Sequence, residues 1–151
     1  MRTHIIGCGN LDRGDDGAGV LVARRLRALG IEAEEQTGEA FSLMDSWNGC
    51  EQVIVIDAIC SDRVPGEVMI WDASANPFPK AAAQCSTHGF GLYEAVELGR
   101  SLDRLPAKLL IYGIEGRQFA QGARPLVEVE KSAEVVAEQV ARFVGTGSRL
   151  S

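Results

Sequence analysis

Two adjacent carboxylates lie in a glycine-rich segment near the start of the chain. The sequence GCGNLDRGDDGAG, residues 7–19, holds five glycines and three aspartates, and Asp15 and Asp16 are neighbours in it. A further acid, Asp57, ends the apolar run VIVID, and His88 follows a long loop in the segment STHGFGL. Carboxylate and imidazole groups bind metal ions and move protons. These four residues are therefore the first candidates for chemistry.

Glycines that follow a strand often make room for a phosphate, but this segment lacks the patterns that phosphate sites require. A Rossmann fingerprint needs G-x-G-x-x-G, and Asp12 stands where the third glycine belongs. The P-loop pattern fails because no Lys-Ser or Lys-Thr pair follows Gly14. Asp15 and Asp16 would also repel a pyrophosphate. A nucleotide-binding domain is therefore disfavoured.

The two adjacent acids call for two different explanations. An aspartate at a helix start accepts hydrogen bonds from free N–H groups, and we predict that Asp15 caps the helix that follows. For Asp16 we predict a cation site. Ligands of open α/β sheets bind beyond the carboxyl ends of the strands, where the strand order reverses. Asp16 and Asp57 follow the two strands that are best placed to be neighbours at that point.

A third ligand is expected at the same edge of the sheet. Two carboxylates in one crevice raise each other's pKa or recruit a cation. His88 is the candidate, because His4 begins the first strand at the opposite end of the sheet. Cys85 precedes His88 by three residues, and we interpret it as a small packing residue because no second such pair occurs. Two Asp and one His suit Zn, Ni, Co, Mn or Fe and leave positions open, as a functional site requires.

The elements that must position these residues alternate along the chain. We predict strands at 4–8, 31–36, 53–57, 67–71 and 108–115, and helices at 17–29, 40–47, about 89–102 and 126–144. Leu29 and Leu102 are expected to face the core at the ends of their helices, and Glu115 is interpreted as a solvated acid at a strand end. Only a short link joins strands 53–57 and 67–71, so these two strands are predicted to run antiparallel.

This alternation predicts an α/β fold. We expect a three-layer sandwich with a mostly parallel twisted sheet of about five strands, one of them antiparallel, flanked by helices. The length of 151 residues indicates a single domain over 1–151.

Composition excludes several classes of partner. The net charge is −6 and no Lys/Arg cluster occurs, so nucleic acid and anionic membranes are poor candidates. No apolar run is long enough for a membrane span or a signal peptide. The four cysteines are scattered, and we expect a cytoplasmic protein with reduced thiols.

Several segments together resemble the hydrogenase maturation protease family, nickel-dependent endopeptidases that trim the large subunit of nickel–iron hydrogenases. The opening GCGNLDRGDDGAGVLVARRL is similar to the family's G-x-G-N-x-x-x-x-D-[DE]-G-x-G motif. VIVIDAI resembles the family's strand that ends in Asp-Ala, STHGFGL its S-x-H segment, and PAKLLIYGIEG its last-strand block. The likeness covers nearly the whole chain. The chain departs at Gln36-Thr37-Gly38, where the family usually shows a Gly-Gly-Thr-like turn, and this bears on substrate choice.

The resemblance implies a catalytic and metal-contacting set of Asp16, Asp57 and His88. It implies an endopeptidase with aspartates in its site that removes the C-terminal extension of a nickel-loaded large-subunit precursor. Nickel is then supplied by the precursor rather than permanently bound, and the enzyme is expected to work as a monomer. Water is activated either by the metal or by Asp16 or Asp57 as general base, and both routes stay open. The alternative is a non-catalytic nickel chaperone or sensor with the same three ligands.

Overall fold

A computed structural model describes residues 2–83 and 91–145 of the chain. Within these residues, five strands and four α-helices follow one another. The strands are β1 (Thr3–Cys8), β2 (Glu34–Gln36), β3 (Gln52–Ile59), β4 (Val68–Asp72) and β5 (Lys108–Glu115). The helices are α1 (Ala18–Ala28), α2 (Ala40–Trp47), α3 (Leu92–Ser101) and α4 (Val127–Gly145). Each predicted strand and helix is present, with ends that differ from the prediction by a few residues.

The five strands form one sheet in the order β2-β1-β3-β5-β4. β1 is parallel to β2 and β3, β3 is parallel to β5, and β4 is antiparallel to β5. The prediction that β4 runs opposite to β3 is confirmed, although β5 lies between them. The chain passes from β1 to β2 on one side and then to β3 on the other. The strand order therefore reverses between β1 and β3.

Helices cover both faces of the sheet. α1 and α4 pack on one face, against Ile54 and Ile56 of β3. α2 and α3 pack on the other face, against Val53 and Val55 of the same strand. An apolar run without polar alternation suits this central position, because both sides of the strand are buried. The predicted three-layer α/β architecture is confirmed.

The predicted inward direction of Leu29 and Leu102 is wrong. Both side chains are exposed. α1 ends at Ala28 and α3 ends at Ser101, so each leucine follows the last helical residue. The apolar spacing continues for one step beyond the point where the helical geometry stops. Gly30, with φ +84°, ends α1 as predicted.

Glycines let α1 approach the ends of β1 and β3 directly. A Cβ atom at Gly19 would collide with the carbonyl oxygens of Ile56 and Cys8, and a Cβ atom at Gly7 would collide with the carbonyl oxygen of Gly19. The start of the helix therefore lies against the strand backbones with no side chain between them. Close packing of backbone explains these two glycines without a phosphate.

β4 forms one edge of the sheet. The N–H of Ala73 donates to the Leu109 carbonyl at 2.8 Å, and the N–H of Glu115 donates to the Glu67 carbonyl at 2.8 Å. In an antiparallel ladder alternate residues face the neighbouring strand, so Val68 and Ile70 direct their backbone groups to the outer side. Among the residues described, no further strand pairs with β4. This edge carries no Lys or Pro that would discourage pairing with another chain.

Candidate functional site

Asp16 and Asp57 lie at the carboxyl edge of the sheet, on either side of the reversal in strand order. Gly7 of β1 pairs with Ile56 of β3, and Asp57 is the next residue of β3. Asp16 belongs to the loop that follows β1. This is the position at which open α/β sheets bind their ligands. The predicted placement of both carboxylates is confirmed.

The loop between β1 and α1 has a fixed geometry. Two 3₁₀ turns span Leu11–Gly17 and are separated by a kink at Arg13 and Gly14, where Gly14 has φ +56°. The Asn10 side chain accepts a hydrogen bond from the Asp12 N–H at 2.9 Å and so caps the first turn. The Asn10 N–H donates to Asp16 Oδ2 at 3.1 Å. The carboxylate of Asp16 is therefore anchored to the start of its own loop.

The two carboxylates act on each other electrostatically. Burial raises the pKa of Asp57 well above its usual range, and the nearby charge of Asp16 raises this pKa further. A hydrogen bond from the Ala58 N–H to Asp57 Oδ1, at 2.8 Å, opposes both effects. A cation between the carboxylates would relieve the repulsion.

Cys8 lies beside this pair, in an environment that disfavours its thiolate. Its side chain is fully buried. Burial raises the pKa of the thiol, and the charges of Asp57, Asp16 and Glu34 raise it further. A reactive cysteine needs the opposite environment, which stabilises the thiolate. The closeness of Cys8 to Asp57 could have been predicted from the sequence, because Cys8 ends the predicted strand 4–8 and Asp57 ends the neighbouring predicted strand 53–57.

The prediction that Asp15 caps α1 is wrong. The N-cap of α1 is Gly17, which has no side chain to accept a hydrogen bond. Asp15 is fully buried and accepts hydrogen bonds from the N–H groups of Arg117, Gln118 and Leu126 at 2.7–2.8 Å. Leu126 immediately precedes α4. The carboxylate therefore joins the first loop of the chain to the loop between β5 and α4.

The interpretation of Glu115 as a solvated acid is also wrong. Only 2% of Glu115 is exposed. Its carboxylate accepts hydrogen bonds from the Ser61 N–H at 2.9 Å and the Ser61 hydroxyl at 2.6 Å. Arg63 in turn donates to the Ser61 hydroxyl at 2.7 Å. Glu115 therefore holds the loop that follows β3.

The third predicted ligand, His88, lies outside the described residues. Within residues 2–83 and 91–145, no three His, Cys, Asp or Glu side chains form a group that could hold a metal ion. Gly91, the first described residue after this segment, is the N-cap of α3. α3 packs on the sheet face that carries Val53 and Val55. Asp57 lies on this same face, because it is two residues beyond Val55 in β3.

Most of the chain matches a known protein family. The model of the family described as hydrogenase maturation protease matches residues 37–143, well over half of the chain. The chain belongs to this family. As a member of it, the protein is a peptidase and therefore a hydrolase. The matched range includes Asp57 and begins after the loop that carries Asp16.

The chain is also similar to individual proteins. Protein FrxA of Pyrococcus furiosus is 31% identical over 137 residues, which cover 89% of this chain and 98% of the relative. The structure of a NiFe hydrogenase maturation protease HycI from Thermococcus kodakarensis KOD1 is 26% identical, with a TM-score of 0.71 over 95% of this chain and 92% of that one. The solution structure of an endopeptidase from Escherichia coli is 26% identical, with a TM-score of 0.77 over 99% and 96%.

No helix within the described part of this peptidase is both long and apolar enough to cross a membrane.

Proposed function

We propose that the protein removes the C-terminal extension of a nickel-loaded nickel–iron hydrogenase large-subunit precursor. The convergence of Asp16 and Asp57 at the reversal of strand order carries this proposal. Membership of the maturation protease family supplies the reaction class. The structure from Thermococcus kodakarensis is that of a NiFe hydrogenase maturation protease, which supports the choice of substrate. We propose that the enzyme acts in the cytoplasm and as a monomer.

The nickel belongs to the substrate in this proposal. Two carboxylates that repel each other form a site whose repulsion falls when a cation enters. Asp16 and Asp57, with His88 as the third group, contact the nickel held by the precursor and thereby distinguish a loaded precursor from an empty one. Carboxylate and imidazole ligands suit nickel, and two or three of them leave positions for ligands from the precursor.

Cleavage needs a water molecule placed against one peptide bond of the precursor. A carboxylate next to that water accepts its proton, and docking of nickel against the same carboxylates fixes the position of the chain that is cut. Cys8 takes no part as nucleophile, because it is buried as a neutral thiol. The reaction is hydrolysis without a covalent intermediate on Cys8.

The test is the intact mass of a cognate precursor after incubation with the protein. The precursor is used with and without nickel, and the protein is used as wild type and as Asp16→Asn, Asp57→Asn and His88→Ala. We expect loss of a C-terminal peptide only with nickel, and a fall in rate of about 100-fold or more for each variant. Asp12→Asn is the matched control, because Asp12 is an exposed acid of the same loop. It should cleave like the wild type.

Three results would change the proposal. Cleavage that ignores nickel would keep the peptidase and remove the sensing role. Full activity of Asp16→Asn and Asp57→Asn would remove the site. Tight binding of nickel by the isolated protein without any cleavage would favour the chaperone or sensor.

A further inference from the structure

We propose that Asp15 is a positioning residue, which locks the loop between β5 and α4 to the loop between β1 and α1 and thereby holds Asp16 in place. The proposal rests on the proposed function of Asp16. Asp15 does not touch substrate, because it is completely buried. It acts through the neighbouring residue in the chain.

The carboxylate of Asp15 meets three backbone donors from the other loop. Oδ2 accepts from the N–H groups of Arg117 and Gln118, both at 2.8 Å. Oδ1 accepts from the N–H of Leu126 at 2.7 Å. A buried carboxylate is stable only when such donors replace water, and here both oxygens are satisfied by backbone.

Backbone hydrogen bonds join the same two loops on either side of this carboxylate. The Asp15 N–H donates to the Gln118 carbonyl at 2.7 Å, and the Gly14 N–H donates to the Ala123 carbonyl at 3.1 Å. The Gly122 N–H donates to the Asp12 carbonyl at 2.6 Å. The two loops therefore form one hydrogen-bonded unit with the Asp15 side chain inside it.

The loop after β5 packs closely against the Asp15 side chain. A Cβ atom at Gly116 would lie 2.7 Å from the Asp15 Cβ atom, so the loop after β5 passes directly over this side chain. Asparagine has nearly the same shape, but it has a single acceptor oxygen and its NH₂ group would face N–H donors. The site requires two acceptor oxygens, which distinguishes a carboxylate from an amide at this position.

Fixing Asp15 also fixes the direction of Asp16. The carboxylates of neighbouring residues diverge: Asp15 points into the loop after β5, while Asp16 accepts from Asn10 and acts on Asp57. Asp15 makes four hydrogen bonds that hold the backbone next to Asp16. Its carboxylate accepts three of them, and its N–H donates the fourth. Loss of that support releases the backbone of Asp16 from its place beside Asp57.

The first test compares Asp15→Asn with Asp72→Asn in the nickel-loaded precursor assay. Asp72 is the matched control, because its carboxylate also accepts a backbone N–H, that of Ser74 at 3.1 Å, but at the opposite end of the sheet. At a temperature where circular dichroism shows both variants fully folded, we expect Asp15→Asn to lower kcat about 10- to 100-fold with KM nearly unchanged. Asp72→Asn should change neither. Equal kcat values for the two variants would overturn the proposal.

The second test does not depend on activity. Hydrogen–deuterium exchange should show faster exchange of the amides at positions 10, 14, 117, 118 and 126 in Asp15→Asn, with β3 and β5 as protected as in the wild type. Unchanged exchange at position 10, whose N–H binds Asp16, would mean that Asp15 does not control Asp16. If the wild type cleaves no precursor, the proposed function fails, and this measurement still decides the structural role of Asp15.

Discussion

The raised pKa of Asp57 has a consequence for stability. Between the ordinary pKa of an aspartate, about 3.9, and its higher value in the folded chain, the folded state holds a proton that the unfolded state has released. The free energy of unfolding therefore falls as the pH rises through this window. At neutral pH the charged Asp57 carboxylate is therefore expected to lower the stability of the fold.

The Asp57→Asn variant should be more stable than the wild type at neutral pH. We expect a gain of about 0.5–2 kcal/mol in the free energy of unfolding at about pH 7, because the amide carries no charge to bury. The gain should shrink towards about pH 4, where the wild-type carboxyl is protonated. Urea unfolding followed by circular dichroism measures both values. Glu138→Gln, at an exposed position of α4, is the control. A variant less stable than the wild type at both pH values would contradict the assignment.

Cys8 should be inert towards thiol reagents in the folded protein. Its side chain is buried and its pKa is raised, so both access and thiolate formation are suppressed. We expect iodoacetamide to modify Cys8 more than about tenfold more slowly than the half-buried Cys50. Peptide mapping by mass spectrometry gives both rates, and unfolding in urea should equalise them. Rapid modification of Cys8 in the native state would show that the carboxyl edge is open to reagents.

The residues of the site differ in how far the sequence predicts them. Asp16 follows the strand that contains Ile5 and Ile6, and Asp57 ends the apolar run VIVID; the rule for open α/β sheets brings such positions together. Asp15 has the same residue type and the same neighbours as Asp16, but its hydrogen-bond partners lie 102, 103 and 111 residues further along the chain. The pattern of residues around Asp15 contains no information about contacts with residues so far away in the sequence.

At the scale of elements, the contact between α1 and the sheet predicts an asymmetry between two glycines. Gly19→Ala should lower the free energy of unfolding by more than about 3 kcal/mol, because its methyl group meets the backbone of β1 and β3. Gly30→Ala should cost about 1–2 kcal/mol, the cost of φ +84° alone, since nothing lies within 4 Å of the new atom. Chemical denaturation of the two variants makes the comparison. Equal costs would mean that α1 can move away from the strands.

The elements themselves were predicted well because burial imposes their periodicity. The central residues of β3 are all apolar because helices cover both faces of the strand. The buried residues of α4 recur every three or four positions along the helix. The neighbour of β4 was not predictable in the same way. A short connection shows that β4 reverses direction relative to β3, but it does not show that β5 inserts between them. That choice depends on a strand about forty residues later.

At the scale of the whole molecule, the outer edge of β4 should control the non-specific association of monomers at high concentration. Ile70 is 51% exposed on this edge, where its backbone groups point outwards. A lysine on an edge strand opposes pairing between sheets, so Ile70→Lys should lower light scattering of concentrated protein at least about twofold. Val135→Lys is the matched control, because Val135 is 50% exposed but lies on α4. An equal effect of both substitutions would indicate general hydrophobic association instead of edge pairing.

The hydrogen bonds of Asp15 also order events during synthesis of the chain. Its partners at positions 117, 118 and 126 leave the ribosome about a hundred residues after Asp15 itself. A nascent chain that has emerged only as far as β5 contains both Asp16 and Asp57, yet the loop that carries Asp16 is still unsecured. The start of α4 completes that loop from the far end of the sequence. A translation product that stops before position 117 therefore has every acid of the site and none of the three hydrogen bonds from residues 117–126 that close it.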